Sequence, residues 1–510
     1  MTTQLAHHLV EPGESPPPES DINLPPLPKG LASPWLLGQA REVLHDRGRR
    51  TTLGAWFTPA AVTRHLLGTI DTAAIVTRVL DPSCGGGAFL LAAHERFPAA
   101  HLAGIDVDPL GVEVTRTALA LAGSNDHDIR VGDGLGPTGI AGDGQVLDTH
   151  RYDLVVGNPP FLSQLQTKTA RDADRRSWLL QRFGNLAVGY ADEAALFVLA
   201  AARDLLTREG TAVLIVPESL MAARDTEGIR HEVSRHCTAE VVWRDTDGVF
   251  PGTPSCALRL TRRNNPRPGS PSTSWASLLA DDVPPVTVQS VRTIRQAATA
   301  TADFREAYYL LASHIQEEED LPPGSGHRIV TVGLIDPAHM RWGERPIRFA
   351  KQRWQRPVAV GLPADFVSSR TGPKILVATQ SKVLEAVVDS DGDLIPSTPV
   401  ITVRADQLWH VGAALTSPVL TAIAARRHAG AARSRGAIKL SAKQILDLPL
   451  PEGPSPAWDQ AAQFYREAHG ISDPVSRHEL LRHCGELMTT AYEVDDPTLV
   501  AWWTDRLPLR

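Results

Sequence analysis

Between Val76 and Val216 short apolar runs alternate with stretches of helical periodicity. The runs are "TRVLDPS", "HLAGIDV", "DIRVGDG", "YDLVVGN" and "TAVLIVP". Their spacing, roughly 25 to 55 residues, is that of strand–helix units feeding a parallel sheet. "AEVVWR" and "SCALRLTRR" follow as a closing antiparallel hairpin. Upstream, "SPWLLGQAREVLHDRG" has a helical repeat, and "LGAWFTPAAVTRHLLGTI" reads as a turn and then a helix whose first turn carries Pro59. Residues 1–30 are rich in Pro, Glu and Ser and predict a disordered segment. The pattern predicts an α/β domain over 31–262 and a turn-rich linker, "NNPRPGSPSTS", from Asn264 to Ser274. A second, α+β domain over 263–455 contains the short strands "HRIVTVG", "PKILVAT" and "PVITV", and a helical segment fills 456–510. No internal repeat is visible.

Length and composition agree with several soluble domains: 510 residues, 42% hydrophobic and 21% charged. No apolar run reaches the ~18 residues of a membrane span, and the first residues lack the charge and apolar pattern of a secretory signal. Four separated cysteines (Cys84, Cys237, Cys256, Cys484) with no C-x-x-C pair argue against a disulfide framework or zinc site and for a cytoplasmic protein. The net charge of −7 hides an uneven spread. Residues 321–455 hold 17 Lys and Arg against 10 Asp and Glu, a local +7. That block is a candidate polyanion-binding face, or a solvated surface.

The chemistry concentrates at the ends of the predicted strands. "VLDPSCGGGAFLLAAHERF" is a strand, a glycine turn and a helix. Gly85, Gly86 and Gly87 let backbone approach a ligand, with Asp81 and Ser83 as polar groups beside it; a plain βα turn would use the same glycines. The sequence is not a P-loop. "GIDVDP" ends the next strand with Asp106 and Asp108, where a carboxylate can take two hydroxyl hydrogen bonds of a ribose or simply start a helix. Asp133 in "VGDGLG" can accept from an adenine amino group or serve a turn. In "YDLVVGNPPFLSQ", the Asn158 side chain and the Pro159 carbonyl form two acceptors facing one amino group. Pro160 stiffens the turn and Phe161 offers a flat face for a ring. Accepting from both protons steers the nitrogen lone pair toward an electrophile.

At this point residues 50–262 resemble the gamma-class adenine-N6 DNA methyltransferases of restriction–modification and phage-defence systems. The resemblance rests on an ordered set: "GAWFTP", "DPSCGGGAFL", "GIDVDP", "GDGL", "NPPF", "DEAALFVLAAARDLLTREGTAVLIVP" and "DGVFPGTPSCALRL". It implies a Rossmann-like class I fold with a C-terminal target-recognition domain, S-adenosyl-L-methionine as cofactor, no metal, and double-stranded DNA as partner beside restriction or defence subunits. It implies roles by position. Phe57, Thr58 and Pro59 cap the methionine end, and Asp81, Ser83, Gly85 and Gly87 surround the methionine and sulfonium. Asp106 takes the ribose, Asp133 the adenine amine, and Phe197 lies beside the cofactor. Asn158, Pro159, Pro160 and Phe161 clamp the target amine, and Phe250 is a second ring on a flipped base. Cys-Gly-Gly-Gly and Phe161 depart mildly from the family's usual Ser or Ala and Tyr.

Lys168, Arg171, Arg175 and Arg176 after the clamp are candidates for phosphates, or for the face of a solvated helix. In "MRWGERPIRFAKQRWQRP", Arg341, Arg345, Arg348, Lys351, Arg353 and Arg356 interleave with Trp342 and Trp354, a mixture suited to phosphate and base-edge contacts. "RSRGAIKLSAKQILDLPLP" adds Arg433, Arg435, Lys439 and Lys443. A protein-glutamine methyltransferase, an rRNA guanine-N2 methyltransferase and a non-catalytic DNA-binding specificity subunit are the alternatives. No nuclease signature is present.

Overall fold

The structure, a computed structural model, describes residues 33–44, 58–71, 75–136, 152–161, 173–188, 192–250, 252–263, 275–302, 305–322, 324–432 and 436–508. The N-terminal segment expected to be disordered lies outside these. The chain divides into two compact units at 273/274.

Unit 1 is built on seven strands: β1 (Arg78–Asp81), β2 (His101–Asp106), β3 (His127–Val131), β4 (Tyr152–Gly157), β5 (Leu206–Pro217), β6 (Cys237–Arg244) and β7 (Ser255–Arg262). Their order is β3-β2-β1-β4-β5-β7-β6. The first five run parallel, and β7 is antiparallel to both β5 and β6, so the expected closing hairpin is present. The strands read as unbroken apolar runs because both faces are covered: Val79, Leu80, Leu102, Leu154, Val155 and Val156 are fully buried.

The helices that bear on the site are α1 (Pro34–Leu44), α2 (Ala60–Gly68), α3 (Ala88–Arg96), α4 (Pro109–Leu121), α5 (Ala173–Phe183), α6 (Glu193–Ala200) and α7 (Glu227–His236). Local sequence sets their starts. Asp108 caps α4 by accepting from the Leu110 amide with Pro109 following it, and Asp192 caps α6 through the Ala194 amide. Pro59 stands at the N-cap of α2, one residue ahead of the helix it was expected to open.

Unit 2 is α+β, as expected. A four-stranded antiparallel sheet runs in the order 386–389, 374–377, 401–405, 298–302, and a second four-stranded sheet contains His327–Val330 and Pro357–Ala359. The helices from Pro456 onward, expected as a separate segment, share one core with the first sheet: Trp458, Tyr465, Met488 and Trp503 pack with Val377, Val403, Val411 and Leu420. The Tyr465 hydroxyl donates to the Ala386 carbonyl at 2.7 Å. His469 Nε2 accepts the Val388 amide at 2.9 Å while burial holds its imidazole down to about 4, so the ring is neutral. Inside the same sheet Lys374 and Asp389 form a buried ion pair at 2.5 Å, and Asp389 also accepts the Gly392 and Leu394 amides. Removing one partner of such a pair typically costs about 3–5 kcal/mol.

Among the described residues no single helix is long and apolar enough to cross a membrane. All four cysteines are free thiols in buried positions.

Candidate active site at the strand tips

In an open doubly wound sheet, ligands bind outside the carboxyl ends of the strands where the chain order reverses. Here the reversal lies between β1 and β4. Read along that edge, the tips of β3, β2, β1 and β4 present Asp133, Asp106, Asp81 and Asn158.

The glycine turn is tied to the next strand from several sides. Gly85 and Gly87 have φ of 51° and 82°, which L-residues with side chains rarely adopt. A Cβ on Gly86 would sit 2.8 Å from the Gly38 Cα of α1, so helix and turn are in direct backbone contact. The Asp106 carboxylate accepts the Gly85 amide at 2.8 Å and the Asp108 amide at 2.9 Å. Thr115 closes the turn by donating to the Gly85 carbonyl at 2.8 Å. Of the two acids in "DVD", then, Asp106 remains at the tip and Asp108 caps a helix.

Ser83 Oγ is buried and has no hydrogen-bond partner among the described residues. Beside it, burial pushes the Asp81 carboxyl up to about 8, the Asp106 charge adds to this, and the Ser83 amide opposes it. An unsatisfied hydroxyl next to a proton-holding acid suits a ligand end that carries an ammonium group.

Asp133 Oδ1 accepts the Leu135 amide, and Oδ2 receives Arg175 Nε at 2.8 Å. Arg175 Nη1 reaches the buried Glu193 at 2.5 Å. Arg175 therefore bridges two acids, Asp133 at the β3 tip and Glu193 at the start of α6, a correction to its expected phosphate role; Arg176 is exposed, and Lys168 and Arg171 lie outside the described residues. Phe197 is buried, and its ring is 3.1 Å from where a Gly134 Cβ would be, so it lies directly behind the Asp133 loop.

At the tip of β4, Asn158 Nδ2 donates to Thr58 Oγ1 at 3.2 Å, which fixes the amide plane. Phe57 lies outside the described residues. A Cβ on Gly157 would come within 2.8 Å of Asp81 Oδ1, so the β1 and β4 tips touch there. Pro159 is buried, whereas Pro160 and Phe161 are half-buried. Phe161 meets Phe250 edge to face, with centroids 6.3 Å apart and planes at 71°. Phe250 is only 3% exposed and packs in turn on Trp243 at 6.4 Å. In this arrangement Phe250 buttresses Phe161 instead of standing parallel to it as the other plate of a sandwich. The buried Asp245 holds that loop by accepting the Val249 and Phe250 amides at 2.8 and 2.9 Å. Sequence reading missed Trp243, Asp245 and Glu193; an acid five residues ahead of Phe250 in a turn-forming "DTDG" was the available signal for Asp245.

In unit 2 the basic candidates separate. Arg341 pairs with Asp336 at 3.1 Å, and Arg356 with Glu318 at 2.6 Å. Arg345 donates to the Gly333 carbonyl. The two tryptophans spend their indole N–H groups on the Pro357 and Phe349 carbonyls, and Arg328 and Arg356 flank the Trp342 ring. Trp342 and Trp354 are half-buried with their indole N–H groups occupied, whereas Arg345 is exposed. Arg348, Lys351, Arg353, Lys439 and Lys443 are exposed, and their side chains have no partner among the described residues. Arg433 and Arg435 lie outside the described residues.

The strand order is that of a Rossmann-like class I methyltransferase fold. Residues 36–270 match the family described as N-6 DNA Methylase. The chain is 36% identical over 79 residues to the type II methyltransferase M.XamI of Xanthomonas campestris pv. amaranthicola, covering 16% of this chain but 15% of that enzyme. It is 24% identical over 217 residues to the tRNA1(Val) (adenine(37)-N6)-methyltransferase of Porphyromonas gingivalis, covering 40% of this chain and 75% of that enzyme. Among solved structures, the type I restriction-modification system methyltransferase subunit of Streptococcus thermophilus matches with a TM-score of 0.33 and 18% identity, over 46% of this chain and 50% of that one.

Proposed function

We propose that the chain methylates the N6 amino group of an adenine extruded from duplex DNA, as the modification component of a restriction–modification or defence system. The observation that carries the reading is the contact between the β1 and β4 tips. The target-amine residues Asn158 and Pro159 adjoin Asp81 and Ser83, which suit the methionine end of the cofactor. S-adenosyl-L-methionine would supply a methyl group from its sulfonium. The chain's own work is to aim the acceptor: Asn158 Oδ1 and the Pro159 carbonyl accept from the two amine protons, and Phe161 stacks the base. Extruding the base costs a few kcal/mol of unstacking, which contacts to the duplex must offset.

The test is transfer of a labelled methyl group to duplex DNA, followed by nucleoside analysis. N6-methyladenine is the expected product. Label in N4-methylcytosine would overturn the base assignment, and label only in RNA or protein would overturn the substrate class.

A pH signature follows from Asp81. Below about pH 8 the buried carboxyl holds its proton, and a bound ammonium group favours the carboxylate, so binding should release a proton. Cofactor affinity should therefore rise as pH approaches about 8, until the ligand's own α-ammonium loses its proton in the same range. For the free protein the sign is opposite: the folded-state pKa lies above the ordinary 3.8, so stability falls as pH rises from about 4 to 8. Calorimetry in buffers of different ionisation enthalpy should detect the proton at neutral pH, and Asp81→Asn should abolish it. A pH-independent affinity would rule out this role for Asp81.

A further inference from the structure

The hairpin formed by Ile347–Phe349 and Gln352–Trp354 departs from what stability alone would select. Its register pairs Ile347 with Trp354, Arg348 with Arg353 and Phe349 with Gln352. Pleating sends alternate side chains to opposite faces: Ile347 and Phe349 are buried, whereas Arg348 and Arg353 are exposed. The inner face is anchored, since the Ala350 amide donates to the Tyr308 hydroxyl at 3.2 Å and the Trp354 indole donates to the Phe349 carbonyl at 3.0 Å. The outer face places two guanidinium groups directly opposite each other, an arrangement that repels.

The turn is equally unfavourable. Ala350 and Lys351 have φ of 50° and 67°. A two-residue turn with both residues in the left-handed region is usually Asn-Gly or Asp-Gly. Elsewhere the same unit neutralises its arginines, Arg341 with Asp336 and Arg356 with Glu318. Arg348, Lys351 and Arg353 have no acid beside them among the described residues. Strain, like-charge pairing and missing counter-ions coincide on a rigidly anchored ribbon.

We propose that this hairpin is a phosphate-gripping finger for the backbone of duplex DNA, a proposal that rests on the reading of the chain as a DNA methyltransferase. Paired arginine forks match phosphate oxygens, and Lys351 adds a point charge at the tip. Single-stranded nucleic acid is disfavoured as the occupant because such sites stack bases on exposed aromatic rings. The hairpin's own rings, Phe349 and Trp354, face inward.

The experiment compares the full-length protein with an R348Q/K351Q/R353Q variant, measuring duplex binding by fluorescence anisotropy as salt is raised. The salt slope should become shallower by about 2 to 3, and affinity near physiological salt should fall about 10- to 100-fold, equally on cognate and unrelated duplexes. Cofactor affinity should not change, and Arg341→Gln, which removes an ion-paired arginine, should leave the slope alone. An unchanged slope overturns the proposal, as does a loss confined to single-stranded RNA or to one DNA sequence. If the wild-type protein methylates DNA while the triple variant keeps its slope, only the hairpin assignment fails. If the wild-type protein methylates RNA and never duplex DNA, the functional reading fails and the finger with it.

Discussion

Asn158→Ala is expected to slow methyl transfer by about 10²- to 10³-fold, the usual loss when one preorganised hydrogen-bonding contact to a reacting group is removed. The structure gives a reason to expect the full loss. Asn158 is not a loop residue free to be replaced by water: its amide nitrogen is held by Thr58 and its backbone leaves the β4 tip against Asp81. Water could occupy the vacated volume but could not hold a fixed acceptor direction. The effect should fall on the rate of the chemical step, measured in single turnovers, with cofactor affinity preserved. Thr58→Val is the companion variant, because it keeps the volume and removes only the restraint on the amide plane; a smaller loss is expected from it. An Asn158→Ala protein with undiminished single-turnover rate would remove the proposed mechanism.

Asp106→Ala is expected to weaken S-adenosyl-L-methionine binding by at least about 10²-fold. Hydrogen bonds to a charged acceptor contribute about 1.5–3 kcal/mol each, and two hydroxyl contacts would be lost. The variant also releases the Gly85 and Asp108 amides, which the same carboxylate holds in place. The Gly85 amide belongs to the glycine turn and the Asp108 amide to the start of α4, so under the proposed role binding suffers from lost contacts and from lost preorganisation together. Titration calorimetry reads the affinity, and thermal unfolding without cofactor shows whether the domain itself persists. Asp106→Asn is the milder companion, since one oxygen remains as acceptor while the amide nitrogen can accept from neither the Gly85 nor the Asp108 amide. Equal affinities for wild type and Asp106→Ala would place the ribose elsewhere.

The parallel sheet was legible in the sequence because strands buried on both faces must be almost purely apolar, so "YDLVVG" and "AVLIVP" declare themselves without a partner in view. The glycine turn was legible because close backbone approach excludes side chains. Long-range pairing was not. Nothing near Arg175 in the sequence indicates that it bridges Asp133 and Glu193, 42 and 18 residues away. The interleaved "MRWGERPIRFAKQRWQRP" shows the same limit: composition makes every cation a candidate, and only tertiary contact separates Arg356, spent on Glu318 and Trp342, from Arg348. The helices after Pro456 are amphipathic, and an amphipathic stripe states that a face will be covered without stating by what; the cover is the sheet around Val377 and Val403. Phe250 was recognisable as an aromatic at a site, but its burial depends on Trp243 and on the hold of Asp245, neither of which spacing reveals.

The missing side chain at Gly157 has a consequence for how such a site can change over time. With no atoms between the β4 backbone and the Asp81 carboxyl, the wall that suits the donor and the wall proposed for the acceptor are two sides of one partition. The donor–acceptor separation is therefore inherited from strand spacing in the sheet, not from adjustable side chains. Drift in base preference must act on the outer surfaces of the pocket, around Phe161 and beyond. Any substitution that thickens the partition would move both substrates at once.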